Sequence, residues 1–109
     1  MAKTFVGRRV ATVEEVQEPG DYCGPVKGYT GDGREACFFR LPAGPDSPES
    51  VRSLRHVAFP PHTYRECPDG SLEIRASIGA GGWSHEQAYK EGRYVWHGYL
   101  DEGHVWREV

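Results

Sequence analysis

Polar and apolar positions alternate with a period of two through much of the second half of the chain. Between Ser71 and Ile78, Leu72, Ile74, Ala76 and Ile78 point one way and Glu73, Arg75 and Ser77 the other. That is the pattern of a strand with one buried and one wet face. Thr63 to Cys67 precedes it across Pro68-Asp69-Gly70, where proline presets φ and glycine supplies the left-handed residue of a turn. The C-terminus repeats the arrangement. Val95, Trp96, Tyr99 and Leu100 run into Asp101-Glu102-Gly103, and His104, Val105 and Trp106 follow, which predicts a β-hairpin.

The first half is punctuated in the same way. Val26 to Thr30 reads as a strand, Gly31-Asp32-Gly33 as its turn, and Glu35 to Leu41 as the returning strand. Ser53 to Phe59 places Leu54, His56 and Ala58 on one side and Arg55, Val57 and Phe59 on the other, and Pro60-Pro61 ends it. Phe5 and Val6, followed by Arg8 to Ala11, fit either a short strand or an extended arm. Helical signals are fragments. Thr12-Val13-Glu14-Glu15 has the form of a capping box and predicts one turn, closed by Pro19-Gly20; Ser84-His85-Glu86-Gln87 opens another that runs to Glu91. Pro42 to Ser50 holds three prolines and hardly an apolar side chain, so it is expected as an exposed loop that adds nothing to the core. The expected architecture is mainly β, a small antiparallel β-sandwich or open barrel of hairpins with one or two short helical turns, forming a single domain over residues 1–109.

Composition sharpens this picture. In 109 residues a second core would leave each half marginal, and with 38% hydrophobic residues the core must lean on three Trp, six Tyr and four Phe. Fourteen Gly and eight Pro leave little room for long helices. Thirteen basic residues against sixteen acidic ones give a net charge of −3 with the signs interleaved, so a phosphate backbone has no basic stripe to bind and nucleic acid is not an expected partner. No stretch reaches the roughly 20 apolar residues of a membrane span or the form of a signal peptide, which points to the cytoplasm. Cys23, Cys37 and Cys67 are odd in number and widely spaced, as free thiols in a reducing compartment would be.

Three stretches, in order, resemble a phage and mobile-element family known as domain of unknown function 6527. They are Val10-Ala11-Thr12-Val13-Glu14-Glu15-Val16-Gln17-Glu18-Pro19-Gly20-Asp21-Tyr22, then Pro68-Asp69-Gly70-Ser71-Leu72-Glu73-Ile74-Arg75-Ala76-Ser77-Ile78, then Trp96-His97-Gly98-Tyr99-Leu100 with its acidic-glycine turn and closing Val105-Trp106. The resemblance implies a small, mostly β protein of phage type, acting in the host cytoplasm, and no known activity. Similar members often carry a tight cysteine cluster after the opening segment and a cysteine before the Trp-His pair, a set suited to zinc. This chain keeps only Cys23 and Cys37 of that region, fourteen positions apart, and has Val95 before Trp96.

Three functional readings follow from the residues. The leading one is a non-enzymatic module that binds a protein partner or its own copy, with Trp96, Tyr99 and Trp106 as contact residues, because exposed aromatics on a sheet face mark interfaces. The alternative is a zinc-stabilised domain using Cys23, Cys37, Cys67 and His97, although no close pair such as Cys-x2-Cys pre-forms half of the coordination sphere. The third is a small hydrolase with His97 as base and Cys67 or Ser71 as nucleophile, without the Gly-x-Ser-x-Gly or His-Glu-x-x-His context that makes such residues specific. Gly79-Ala80-Gly81-Gly82 lacks the Lys-Ser/Thr ending of a phosphate-cradling loop and reads as a connector. Arg52, Arg55, Arg65 and Arg75, interleaved with Phe59 and Tyr64, resemble a stacking face for a single strand, but Glu49, Glu66, Asp69 and Glu73 cancel much of its field.

Overall fold

The computed structural model describes residues 3–44, 47, 49–80 and 96–109. Among the described residues, nine strands form two sheets. One has five strands in the order β1 (Lys3–Val6), β9 (Val105–Glu108), β8 (Trp96–Asp101), β7 (Leu72–Ala80) and β6 (Thr63–Glu66). The other has four, in the order β2 (Arg8–Arg9), β3 (Asp21–Val26), β4 (Glu35–Phe39) and β5 (Arg55–Phe59). All neighbours are antiparallel except β2 and β3. The fold is therefore mainly β, two packed sheets rather than a closed barrel.

The alternation in the sequence decides what lies between the sheets. Leu72, Ile74, Ile78 and Ala80 of β7, Trp96 and Leu100 of β8 and Trp106 of β9 face Tyr22, Cys37, Phe39 and Phe59 of the other sheet in one apolar cluster. Leu41 and Val51 complete it. Trp96 and Trp106 are only 2% and 1% exposed, and their rings cross at 78° with centroids 5.8 Å apart, an edge-to-face contact.

Buried polar atoms tie the sheets together. The Trp106 indole Nε1–H donates to the Gly20 carbonyl at 2.9 Å, and the Leu72 amide donates to the Tyr22 hydroxyl at 3.1 Å. The Tyr22 and Trp106 rings meet edge-on at 6.2 Å. Arg9 adds a bond to each oxygen of Glu66, at 2.6 and 2.9 Å, and others to the carbonyls of Gly24 and Gly70. The chain itself crosses between the sheets at Gly7, between β1 and β2. A Cβ there would lie 2.1 Å from the Gly20 oxygen and 2.9 Å from Trp106 Nε1, so only glycine lets the strands approach closely enough for the indole bond.

Several expectations need correction. The first hairpin is not Val26–Thr30 paired with Glu35–Leu41: β3 starts at Asp21 and ends at Val26, with Tyr22 opposite Phe39. Residues 27–34 are a wide turn instead, because the Asp32 carboxylate accepts from the Thr30 hydroxyl and from the Arg34 amide and guanidinium. Ala76 does not join the buried row of β7, since the register with β8 shifts between Ile74 and Ile78 and leaves Ala76 exposed. Within the stretch from Pro42 to Ser50, Ala43 packs against the core and Glu49 begins a short helix, Glu49–Arg52, that buries Val51. The Thr12 turn is a 3-10 turn over Val13–Glu15, and the Thr12 hydroxyl bonds the Glu15 carboxylate rather than a backbone amide. Gly79 and Ala80 belong to β7, not to a connector. The helix expected from Ser84 and the start of the last hairpin at Val95 lie outside the described residues.

Gly7→Ala is expected to lower unfolding free energy by about 2 to 3 kcal/mol, combining overpacking with loss of the buried indole bond. Urea denaturation checks this; a change under about 0.5 kcal/mol, the range of ordinary surface substitutions, contradicts it.

Candidate functional site

The outer face of the five-stranded sheet is built by the alternate residues of its strands. Because Leu72, Ile74, Trp96 and Leu100 point inward, Glu73, Arg75, His97, Tyr99 and Asp101 point outward. The closing turn sets the partner strand: Asp101 pairs with Val105, so Arg107 stands directly opposite Tyr99. Gly103 makes this tight reversal possible with φ at 88°. The guanidinium carbons of Arg107 and Arg75 lie 4.6 and 4.9 Å from the centre of the Tyr99 ring. Asp101 holds both arginines, accepting from Arg75 and from Arg107 Nε at 2.7 Å each. Burial alone would favour protonated Asp101, but these two guanidinium groups outweigh it and hold the carboxyl below its usual range. Beside this group, Arg65 pairs with Glu73 and Glu102.

A second feature is a cleft of about 330 Å³ between the sheets, lined by Phe39, Arg55, His56, Val57, His62, Ser77, Ile78 and Gly79. His62 Nε2 lies 3.1 Å from the Ser77 carbonyl, which can only accept, so that nitrogen carries the proton. His97 Nε2 lies 3.0 Å from the Ser77 hydroxyl, joining the cleft to the outer face.

A third group lies at the opposite end of β7, where two turns meet. Ser71 donates its hydroxyl proton to Asp69 and accepts from the Gly103 amide. The Tyr22 hydroxyl, which accepts from the Leu72 amide, is 2.6 Å from His104 Nδ1. Burial pushes the Tyr22 hydroxyl up to about 12.

These positions decide among the sequence candidates. Trp96 and Trp106 are core residues, not surface contacts; of the three aromatics proposed to meet a partner, only Tyr99 reaches the surface. His97 does not pair with Ser71 or Cys67. Eight residues of chain, roughly 25 Å of strand, separate Ser71 from Gly79, the partner of His97. Cys67 sits at the Ser71 end, where its amide donates to the Ser71 carbonyl. Cys23, Cys37 and Cys67 are all free and buried, and burial drives the Cys37 thiol upward, opposing the thiolate that zinc needs. Among the described residues no group of three or more His, Cys, Asp and Glu is placed to hold a metal. Of the arginines proposed for a nucleic-acid face, Arg65 and Arg75 are ion-paired. Arg107 was missed, although the hairpin register points to it. The cleft had no sequence signal, because its walls come from different sheets.

No family model, curated protein or solved structure matches this chain. No described helix is long and apolar enough to cross a membrane.

The raised Tyr22 value gives an alkaline signature. A folded-state value of about 12 above an ordinary 10 contributes stability that is complete below pH 10 and lost as pH rises through 12. The loss expected from Tyr22 is on the order of 2 kcal/mol. Unfolding free energy measured across this window should fall in the native chain. Tyr22→Phe should be less stable at neutral pH with a flatter alkaline slope; an unchanged slope contradicts the assignment.

Proposed function

We propose that the protein is a non-enzymatic binding module, a small phage-type accessory protein that acts in the host cytoplasm by contacting a protein partner or a second copy of itself. The outer sheet face centred on Tyr99 is the contact surface. The observation that carries this reading is the Arg75–Tyr99–Arg107 cluster, fixed by Asp101. Tyrosine and arginine dominate binding hot spots, since each offers a large contact area together with directional donors. Here their rotamers are already restrained, which lowers the entropic cost of association.

The same geometry favours protein over nucleic acid. Arg65, Arg75 and Arg107 each have a carboxylate partner, so a phosphate backbone would have to displace Glu73, Asp101 or Glu102. A protein surface with alternating charges fits the face as it stands. The phage assignment is supported by the three ordered stretches that resemble domain of unknown function 6527.

The test compares Tyr99→Ala and Arg107→Ala with the native chain, using light scattering for self-association and affinity capture from phage-infected host cells for a partner. Each variant is expected to weaken the association at least ten-fold, roughly 1.4 kcal/mol, with circular dichroism unchanged. Leu54→Ser, on an exposed residue outside this sheet, should have no effect. Equal association by Tyr99→Ala and the native chain would rule out this face.

A further inference from the structure

The five-stranded sheet ends on one side at β1, and among the described residues this strand pairs only with β9. The register fixes where its backbone groups point. The Gly7 amide donates to the His104 carbonyl at 2.8 Å, so Gly7 and His104 form a hydrogen-bonded pair of the antiparallel ladder. Such pairs alternate along the strand, which makes Phe5 with Trp106 and Lys3 with Glu108 the next two. The N–H and C=O groups of Thr4 and Val6 therefore point away from β9, toward the open edge. All four residues of β1 are exposed, Val6 at 70% and Phe5 at 44%. The other three sheet edges are blunted. β2 has two residues, both arginines in ion pairs, and β6 carries Arg65 and Glu66, also ion-paired. β5 opens with Arg55 and His56 and runs into Pro60-Pro61.

We propose that β1 pairs antiparallel with β1 of a second copy about a two-fold axis, joining the two five-stranded sheets into one continuous sheet. Hydrogen bonding selects the register. Only Thr4 and Val6 have outward groups to offer, so they must form the hydrogen-bonded pairs between the copies. Setting Thr4 of each copy opposite Val6 of the other engages every outward N–H and C=O of Lys3–Val6, in four bonds. The alternative symmetric registers, Thr4 opposite Thr4 or Val6 opposite Val6, make two within the same residues. Side chains favour the same choice. Phe5 then faces Phe5 at a non-hydrogen-bonded position, where side chains approach most closely and an aromatic pair strengthens the contact. Lys3 falls opposite Gly7, which keeps the two lysines about 13 Å apart along the strands, beyond the screening length at physiological salt. The edge thus meets itself without opposing like charges. Tyr99 lies two strands in from this edge, on the outer face, and stays uncovered in the pair. Binding through Tyr99 therefore adds to the dimer, and either assignment can fail without the other.

The experiment combines sedimentation equilibrium of the full chain, at up to about 1 mM so that weak contacts register, with amide hydrogen exchange over the same range. A monomer–dimer equilibrium is expected. Exchange at the Thr4 and Val6 amides should slow as dimer accumulates, whereas the Phe5 amide, bonded to β9, is already protected in the monomer. Val6→Pro removes an outward donor and no bond within the chain, so it should raise the dissociation constant at least ten-fold with circular dichroism unchanged. Tyr99→Ala should leave this dimer as in the native chain; any loss of binding at the outer face in that variant bears on the Tyr99 reading alone. A chain that stays monomeric throughout overturns the inference, as does a dimer whose Thr4 and Val6 amides gain no protection, or an unchanged dissociation constant in a folded Val6→Pro. Monomers whose Thr4 and Val6 amides are covered only by a foreign polypeptide overturn it too, because the edge then takes another protein's strand. If Val6→Pro does not fold, the concentration dependence of the native Thr4 and Val6 amides decides alone.

Discussion

The two sheets of this protein depend on the crossing of Tyr22 and Trp106. Each ring brings a polar atom into the interior, where an unmet donor or acceptor costs about 1 to 3 kcal/mol. Both are satisfied across the sheet boundary, the indole by Gly20 and the phenol by Leu72 and His104. Because these bonds have fixed lengths and directions, they set the relative position of the sheets more tightly than apolar contact could. Among the described residues no buried side-chain nitrogen or oxygen lacks a partner.

That crossing also decides which aromatic residues are available to other molecules. Inward-facing Trp106 draws Trp96 and Leu100 to the same side of the sheet, and the pleat then turns His97, Tyr99 and Asp101 outward. The surface cluster around Tyr99 is thus a consequence of core packing. The polar network at the other end of β7 follows from the same contact, since Tyr22 reaches His104 in the closing turn and Ser71 reaches the amide of Gly103. Asp21, next to Tyr22, has its own anchor. Burial disfavours its charge, but Arg8 and the amides of Glu18 and Gln17 hold its carboxyl below the usual range.

Much of this was legible in the chain, and the reasons differ by element. Strands with strict alternation and a strong turn, such as Thr63–Glu66 with Leu72–Ala80 and the last hairpin, carry their pairing locally, and the mainly β class followed from them. The hairpin containing β3 was misplaced because its glycines suggested a tight turn, while Asp32 builds a wide one through side-chain bonds. Ala76 was misassigned because alternation says nothing of a register shift. At the candidate site, Tyr99 was named for its place in the aromatic-rich last hairpin. Trp96 and Trp106 were counted with it because aromatic content alone does not separate a core face from a surface face. The cleft depends on how β5 and β7 oppose each other across two sheets, which no local pattern encodes.

The central physical claim is that the Trp106–Gly20 bond holds the sheets together and breaks only when they part. Hydrogen exchange of the Trp106 indole N–H, followed by NMR alongside the backbone amides of β8 and β9, measures this directly. The expected result is an opening free energy equal to that of global unfolding from urea denaturation. Indole exchange much faster than that, with the β8 and β9 amides still protected, would contradict the claim.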